Sequence, residues 1–386
     1  MIKRLLSLAL SALLLAAISA QAQTPSAAFE TKAAQALVVE ASTGTVLLSK
    51  QPDLAFPPAS LAKLMTVEVV LHALAKGEIT LNTDYAVSEY AWRTGGAPSR
   101  TSTMFAALKS RIRVEDLLKG VMIQMANDGC IILAEGLAGS EQAFVERMNA
   151  RAQELGLSHS RFANSTGLPD NNSKTTLRDL VRLSQHLQQT YPTFYALYQV
   201  PDFEWNKIFQ RNRNPLLGRD LGVDGLASGF SPEGAFGVVA SAQKNGVRLF
   251  VALSGLPTDK ERTEETARVI SWAQTSFESL KLFDAGEVIG AASLYGGANG
   301  AIDLVPKEAV SVFVPVSNPE RLTARIVYRW PLRAPVEEGR EVASLRIFSG
   351  ESLLREVPLL SAQSVGQGTL SQRAVDAVVD MLFFWL

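Results

Sequence analysis

The sequence predicts an α/β (α+β) domain, in which an antiparallel sheet carries a helical lobe, followed by a small all-β domain and a C-terminal amphipathic helix. Hairpin patterns stand at both ends of residues 30–278 with helical periodicity between them, while short β-rich runs occupy residues 280–365. With 386 residues, 47% of them hydrophobic, the chain is long enough to form more than one core.

Residues 1–22 have the pattern of a secretory signal peptide. The basic start Lys3-Arg4 precedes an apolar run over Leu5–Ile18, and Ala20-Gln21-Ala22 is a small-x-small cleavage site. The apolar run is shorter than a bilayer span, which favours cleavage over a transmembrane anchor. We therefore expect export and a mature chain that begins near Gln23.

The first hairpin is predicted from Leu37-Val38-Val39 and Val46-Leu47-Leu48, which flank the turn-forming triplet Ser42-Thr43-Gly44. Two prolines then interrupt the chain before an apolar-periodic helix predicted over Leu61–Ala75. This pattern places Ser60 at the N-terminus of a helix.

The rest of the first domain is predicted from period and turn signals. Between residues 114 and 188 helical periodicity alternates with polar interruptions such as Asn127-Asp128-Gly129. A second hairpin is predicted for Gly237–Ala242 and Arg248–Ser254, which are joined by a turn that contains Asn-Gly. A charged amphipathic helix is predicted over Asp259–Phe277.

Charge and rare residues exclude several function classes. The chain has 37 basic and 38 acidic residues, and the basic ones are dispersed, so we expect no nucleic-acid partner. Cys130 is the only cysteine and lies in an apolar run, which predicts a buried hydrophobic side chain rather than a reactive thiol. The histidines His72, His159 and His186 stand outside any metal-binding motif, so no metal and no other cofactor is expected.

Residues 370–386 form a predicted amphipathic helix that is too short to span a bilayer. Their last six residues, Met381–Leu386, are large apolar and aromatic groups, which favour a headgroup boundary, so we expect an interfacial anchor on the membrane surface. The alternative is a helix docked onto its own protein. Export and anchoring together predict a location at the periplasmic face of the cytoplasmic membrane.

The segment Pro58-Ala59-Ser60-Leu61-Ala62-Lys63 contains the most informative pair of residues. Ser60 and Lys63 are three residues apart at a helix start, so their side chains share a face and the amine can act as general base toward the hydroxyl. An isolated S-x-x-K also occurs by chance, as a capping serine and a solvated lysine. Its place after two strands in an exported chain favours the catalytic interpretation.

Together with Arg111–Leu118, Gln210–Asn214 and Val223-Asp224-Gly225, that segment resembles the low-molecular-mass penicillin-binding proteins, the serine-type D-alanyl-D-alanine carboxypeptidases of peptidase family S11. The similarity extends over nearly the whole mature chain, in the order catalytic domain, β domain and amphipathic tail. The resemblance implies a penicillin-binding-protein/β-lactamase-like fold for residues 30–278. It also implies peptidoglycan stem peptides as substrates and β-lactams as further ligands.

Two of that family's three motifs are altered in this sequence. Where the family has S-x-N the chain reads Met125-Ala126-Asn127, and where the family has K-T-G it reads Ala227-Ser228-Gly229. By resemblance, Ser60 is the acylated nucleophile, Lys63 its proton acceptor and Asn127 a group that positions the substrate amide. Without a cation at residue 227 Lys63 is more often protonated, and Met125 has no hydroxyl to relay a proton to the leaving amine. We expect an impaired enzyme.

Other binding roles follow from the resemblance or from chemistry. The backbone N–H groups of Ser60 and Phe230 are the expected oxyanion hole, and the Ser228 hydroxyl can donate to a carboxylate. Arg213, in one of the family-like segments, is a candidate for holding a carboxylate. The structural alternatives are a plain turn at Asn127-Asp128 and a surface charge at Arg213.

Three functions stay open at this point. The first is an impaired D-Ala-D-Ala carboxypeptidase, which the retention of Ser60 and Lys63 favours. The second is a non-catalytic relative that binds peptidoglycan peptide or a cell-wall protein, which Met125 and Ala227 favour. The third is a β-lactamase, which needs a placed base for deacylation, and the sequence offers no strong candidate for that base.

Overall fold

A computed structural model describes residues 29–316 and 321–374 of the chain. We number the strands and α-helices in chain order. The strands are β1 Gln35–Glu40, β2 Val46–Lys50, β3 Asp84–Ala86, β4 Arg111–Arg113, β5 Asp202–Trp205, β6 Ile208–Arg211, β7 Val223–Ser231, β8 Ala235–Lys244, β9 Val247–Leu256, β10 Phe277–Phe283, β11 Gly290–Tyr295, β12 Ala301–Pro306, β13 Val310–Pro315, β14 Leu322–Val327, β15 Leu332–Arg333, β16 Glu341–Ser349 and β17 Ser352–Ser361. The α-helices are α1 Lys63–Ala75, α2 Glu89–Thr94, α3 Val114–Gln124, α4 Asn127–Ala138, α5 Glu141–Glu154, α6 Leu177–Thr190, α7 Pro192–Tyr195 and α8 Asp259–Thr275, and 3-10 helices cover Ala59–Ala62, Ala97–Ser99 and Ala196–Gln199.

Five antiparallel strands form the central sheet, in the order β2-β1-β9-β8-β7. Both predicted hairpins are present in it, β1–β2 and β8–β9. Leu37 of β1 and Phe250 of β9 join the core of the helical lobe. Their sequence neighbours Val38 and Val251 point to the opposite face, where α8 packs against β8 and β9.

The helical lobe is built around α1 and α4, most of whose residues are buried. Asn127-Asp128-Gly129 forms the first turn of α4, so the alternative of a plain turn at Asn127-Asp128 is wrong. Cys130 is buried in this helix as predicted, and burial raises the pKa of its thiol to about 12. These buried helices hold the start of α1 against the central sheet.

The predicted helix over Asp259–Phe277 is two residues too long. α8 ends at Thr275, and the Thr275 hydroxyl donates back to the Ser271 carbonyl at 3.0 Å. Phe277 already belongs to β10, which pairs with β13, and its ring packs on Trp272 with centroids 5.2 Å apart. Strand pairing and ring packing outweigh the helical period at these last residues.

The second core belongs to the β domain. Its six-stranded sheet has the order β14-β16-β17-β12-β11-β15, and β10 pairs with β13 beside it. This sheet curls. The curl brings Gly290 of β11 so close to β14 that a Cβ on this glycine would lie 2.6 Å from Ile326 Cδ1. The backbone N–H of Ser293 also donates to the Tyr328 hydroxyl at 3.3 Å. The two ends of the strand order therefore approach each other.

The predictions for the chain ends lie largely outside the described residues. Residues 1–22 are not among them, and of the predicted helix 370–386 the described part is helical up to residue 374. Among the helices of residues 29–316 and 321–374, none has the length and hydrophobicity of a bilayer-spanning segment. The interfacial anchor stays a prediction.

Candidate active site

Ser60 stands in the 3-10 turn Ala59–Ala62, directly before α1. Ala59 has a left-handed φ of 48°, so the chain turns sharply into the helix. Gly167, with φ 77°, packs against this turn, and a Cβ at that position would lie 1.7 Å from the Ala59 carbonyl oxygen. Only glycine allows the 167 loop to approach the Ser60 turn this closely.

Lys63 is buried at 2% exposure with its amine turned to Ser60. Its Nζ lies 3.0 Å from Ser60 Oγ and donates to the Thr166 carbonyl at 2.6 Å. Burial lowers the pKa of Lys63 to about 8. At pH 7 roughly a tenth of the amine is then neutral and able to accept a proton. The predicted serine–lysine pair is thus within hydrogen-bond distance.

The altered second motif lies at the junction of α3 and α4. Met125 ends α3 in the left-handed region with φ 58°, and Asn127 begins α4. The Asn127 Nδ2 donates to Thr101 Oγ1 at 3.0 Å, and within the described chain its buried Oδ1 has no hydrogen-bond partner. A buried amide oxygen without a partner is costly, and a donor group of a ligand that reached it would satisfy it.

Asp128 has a role that the sequence patterns did not predict. Its carboxylate is fully buried and accepts from Thr103 Oγ1 at 2.6 Å, from the Met104 N–H at 2.9 Å and from the Ala106 N–H at 3.0 Å. These bonds fix the 103–106 loop to the first turn of α4. The sequence signal for it was one acidic residue in an otherwise apolar run, which a partner distant in sequence must satisfy.

The altered third motif lies on β7, the edge strand of the central sheet. A Cβ on Gly229 would lie 3.0 Å from the Ser60 nitrogen, so this strand borders the nucleophile. Residues 227 and 229 point to the same face of the strand, and Ala227 is buried. Phe230 is exposed and packs on Phe236 with centroids 4.6 Å apart.

A cavity with about 380 Å³ of empty volume lies beside β7, between the end of α3, the 212–216 loop and α8. Met125, Ala227, Ser228 and Arg213 all line it, whereas Ser60, Lys63, Asn127, Gly229 and Phe230 do not. The two altered motif positions therefore face the same space. The sequence-predicted residues therefore form two groups. One is the Ser60–Lys63 pair with Gly229 beside it, and the other is the set of residues that line the neighbouring cavity.

Two guanidinium groups line the cavity. With the Gln124 amide oriented to satisfy both of its partners, its oxygen accepts from Arg213 Nη2 at 3.0 Å. The backbone N–H of Arg213 donates to the Ile123 carbonyl at 3.0 Å. Arg213 is exposed, as the surface-charge alternative has it, and these two contacts tie it to α3.

The second guanidinium belongs to Arg262, which the sequence patterns did not predict as a site residue. It is buried, pairs with Asp259 at 2.6 Å and lies 5.9 Å from the Phe236 ring centroid. Burial lowers the pKa of Arg262. Its sequence context is that of an ordinary charged helix start, so only the packing of α8 on β8 and β9 reveals it.

Arg213, Arg262 and Ser228, which all line the cavity, carry N–H and O–H donors of the kind that bind a carboxylate. No group of three or more His, Cys, Asp or Glu side chains in residues 29–316 and 321–374 is placed to hold a metal ion. The chemistry available to the described site is therefore that of a serine hydroxyl, a buried amine and fixed donors.

Two family models match the chain. The model described as D-alanyl-D-alanine carboxypeptidase matches residues 20–257. The chain belongs to the D-alanyl-D-alanine carboxypeptidase family. The model described as penicillin-binding protein 5, C-terminal domain, matches residues 277–367. The predicted family is confirmed.

Relatives and solved structures agree with this assignment. The D-alanyl-D-alanine carboxypeptidase DacC of Escherichia coli is 32% identical over 352 residues, which are 90% of this chain and 88% of the relative. DacA of Haemophilus influenzae is 33% identical over 313 residues, 80% of this chain and 79% of the relative.

Penicillin-binding protein 5 from H. influenzae superposes with a TM-score of 0.78 at 30% identity, covering 88% of this chain and 99% of that structure. Ampicillin-bound penicillin-binding protein D2 from Listeria monocytogenes has a TM-score of 0.55 at 27% identity, covering 63% and 97%. The predicted α+β catalytic domain followed by a β domain is confirmed.

Proposed function

We propose that this chain is a serine-type D-alanyl-D-alanine carboxypeptidase that acts on peptidoglycan stem peptides through an acyl-enzyme on Ser60, with turnover slowed by the changes at Met125 and Ala227. The observation that supports the proposal is the 3.0 Å contact between Lys63 Nζ and Ser60 Oγ, in a position where the lysine has no access to water. Family membership supplies the substrate class.

In the proposed acylation step, neutral Lys63 accepts the proton of the Ser60 hydroxyl as its oxygen attacks the carbonyl carbon of the penultimate D-alanine. The backbone N–H groups of Ser60 and Phe230 stabilise the developing oxyanion. The C–N bond then breaks, and the proton must pass from Lys63 to the leaving amine of the terminal D-alanine. Water afterwards hydrolyses the Ser60 ester.

Two features of the proposed site slow this sequence. Met125 has no hydroxyl to carry the proton toward the leaving amine, and loss of one acid–base contact costs on the order of 10²–10⁴ in rate. Ala227 supplies no cation near Lys63, so burial alone lowers the lysine pKa and most of the amine stays protonated at pH 7.

Substrate binding has more support than turnover. We assign the terminal carboxylate of the stem peptide to three residues that line the cavity, Ser228, Arg213 and Arg262. An amide N–H of the same peptide is assigned to the unpaired Asn127 Oδ1. None of these contacts requires the two altered positions. β-Lactams are expected to acylate Ser60 by the same route.

The second candidate function is non-catalytic binding of stem peptides or of a cell-wall protein. The observation that favours it is that Met125 and Ala227, the two positions without proton-handling groups, line the same cavity as the carboxylate donors. This candidate and the enzyme share the cavity and differ only in the chemistry at Ser60.

The test is D-alanine release from a pentapeptide that ends in D-Ala-D-Ala, with Ser60→Ala as the control and penicillin labelling as a second readout. Release that disappears in Ser60→Ala supports the enzyme. Labelling without release assigns Ser60 an acylation step that does not turn over. A folded chain with neither release nor labelling overturns the enzyme proposal in favour of binding.

We also propose that the chain is exported and lies at the periplasmic face of the cytoplasmic membrane, with domain limits near residues 30–278 and 280–365. The pattern of residues 1–22 supports export, and the apolar end of residues 370–386 supports attachment. Deletion of residues 370–386 should release the protein from membranes, and unchanged retention would contradict the attachment.

A further inference from the structure

The β domain carries an unusual concentration of arginine. Between residues 277 and 367 the sequence has eleven acidic and nine basic residues, yet four of the nine basic ones are arginines within residues 321–336, which contain no acidic residue. The remainder of the domain is therefore acidic. Such an asymmetry on a nearly neutral domain indicates a surface for an anionic partner.

These arginines lie along the edge strand β14 and the short connection to β15. Arg321, Arg325, Arg329 and Arg333 are all exposed, and none forms an ion pair with another described residue. Arg325 faces Arg346 across the strand pair, but the charge of Arg346 is already matched by Glu356 at 3.0 Å. Arg325 thus keeps an uncompensated charge.

Two of the side chains are held in place by aromatic rings rather than by acids. The Arg325 guanidinium lies 5.3 Å from the Phe348 ring centroid, and that of Arg333 lies 5.3 Å from the Tyr295 centroid. Stacking orders a guanidinium and leaves its N–H donors free for an external anion. Because four residues span at most about 14 Å, Arg329 lies close to both.

Trp330 is exposed in the middle of this group, at 53% of its surface, and Val327 beside it is also exposed. More than half of the tryptophan surface is thus left uncovered by its own domain. Tryptophan prefers the headgroup level of a bilayer, where the ring is in apolar surroundings and its N–H stays wet. We name Arg325, Arg329, Trp330 and Arg333 the arginine–tryptophan surface.

The C-terminal segment leaves the β domain next to this surface. The Gly368 N–H donates to the Gly296 carbonyl at 3.0 Å, and a Cβ on Gly296 would lie 3.8 Å from Arg373 Cγ. Gly296 follows Tyr295, the ring on which Arg333 stacks. A bilayer that takes up the apolar end of the chain therefore lies within reach of Arg333.

We propose that the arginine–tryptophan surface of the β domain binds an anionic phospholipid bilayer, with the guanidinium groups on lipid phosphates and the Trp330 ring at headgroup level. This contact is separate from the terminal segment and would fix how the β domain faces the membrane. An anionic cell-wall polymer is the competing occupant, and the apolar ring of Trp330 beside the root of the terminal segment favours the lipid.

The test is co-sedimentation of the full mature chain with vesicles of phosphatidylcholine, with and without phosphatidylglycerol, titrated to obtain partition coefficients. The variant is Arg325→Gln/Arg329→Gln, and the control with the same charge change is Lys307→Gln/Arg340→Gln in other turns of the β domain. Each arginine near an anionic surface adds about fivefold to partitioning, so we expect a loss of roughly 20-fold in the variant. The control should lose far less.

Trp330→Ala provides a charge-neutral second variant and should weaken binding to both vesicle types. Raised salt should shrink the difference between Arg325→Gln/Arg329→Gln and its control, because salt screens the guanidinium–phosphate attraction. Equal partitioning of that variant and its control at low salt overturns the proposal. Intact vesicle binding with lost binding to isolated peptidoglycan also overturns it, in favour of the polymer. Unchanged circular dichroism spectra and melting temperatures verify the fold of each variant.

Discussion

Restoring the two altered positions is the most informative perturbation of the site. In Met125→Ser/Ala227→Lys, both introduced groups stand on residues that line the cavity beside β7. Residue 227 points to the same face of β7 as Gly229, which borders the Ser60 turn. The new cation therefore stands on the face of β7 that borders the Ser60 turn.

The expected gain has two parts. If the two ammonium groups come within about 6 Å of each other, their repulsion at an effective dielectric constant of about 20 is at most about 3 kcal/mol, which is enough to bring the Lys63 pKa from about 8 to below 7. The neutral fraction at pH 7 then rises by up to about tenfold. The hydroxyl relay adds on the order of 10² or more. We expect D-alanine release to rise by about 10²–10³-fold.

The assay is kcat/KM for D-alanine release from a pentapeptide, measured for the parent chain, both single variants and the double variant. Ala227→Met is the matched control, because it fills the same space without a charge. A double variant that acylates with penicillin but releases D-alanine no faster than the parent chain would refute the reasoning about proton handling. A gain in Ala227→Met equal to that of Ala227→Lys would show that filled volume, not charge, matters.

Three further predictions concern the same site. Acylation of Ser60 by penicillin should rise about tenfold per pH unit up to about pH 8 and level off above it, since Lys63 must be neutral; a flat profile of labelling rate against pH would exclude Lys63 as the base. Gly167→Ala should lower the free energy of unfolding by about 2–4 kcal/mol and abolish penicillin labelling, because its Cβ meets the Ala59 carbonyl. The control Gly44→Ala has a similar positive φ and open space around it, so it should lower the free energy of unfolding by about 1–2 kcal/mol and keep labelling. Equal losses of the two variants in denaturant titrations would contradict the clash. Asp128→Asn removes the charge that binds the 103–106 loop, so it should lower the free energy of unfolding by about 1–3 kcal/mol and slow penicillin labelling. A free energy of unfolding equal to that of the parent chain would show that the loop is held by other contacts.

Patterns local in sequence predicted most of what positions the nucleophile. The alternation in β1, β2, β8 and β9 and the period of α1 are local signals, and so is the three-residue spacing of Ser60 and Lys63. The family resemblance added the two altered motifs, which the structure places on one cavity.

Features that depend on contacts between distant segments were not predictable. Arg262 reaches the cavity only because α8 packs on the central sheet, and Asp128 is satisfied by a loop more than twenty residues earlier in the chain. The end of α8 was placed two residues late because the pairing of β10 with β13 overrides the helical period. Packing decided each of these outcomes, and a single sequence carries no direct record of it.

The burial of Lys63 also affects the stability of the whole fold. Because its pKa falls from the ordinary 10.5 to about 8 on folding, the unfolded chain binds this proton more tightly than the native one, and below pH 8 the native state loses about 3 kcal/mol relative to an exposed lysine. That loss declines as pH rises from about 8 to 10.5 and is absent above. Lys63→Met should therefore melt at a higher temperature near neutrality. The chain retains an amine that weakens its own fold, which is a cost that a protein dedicated only to binding has no reason to bear.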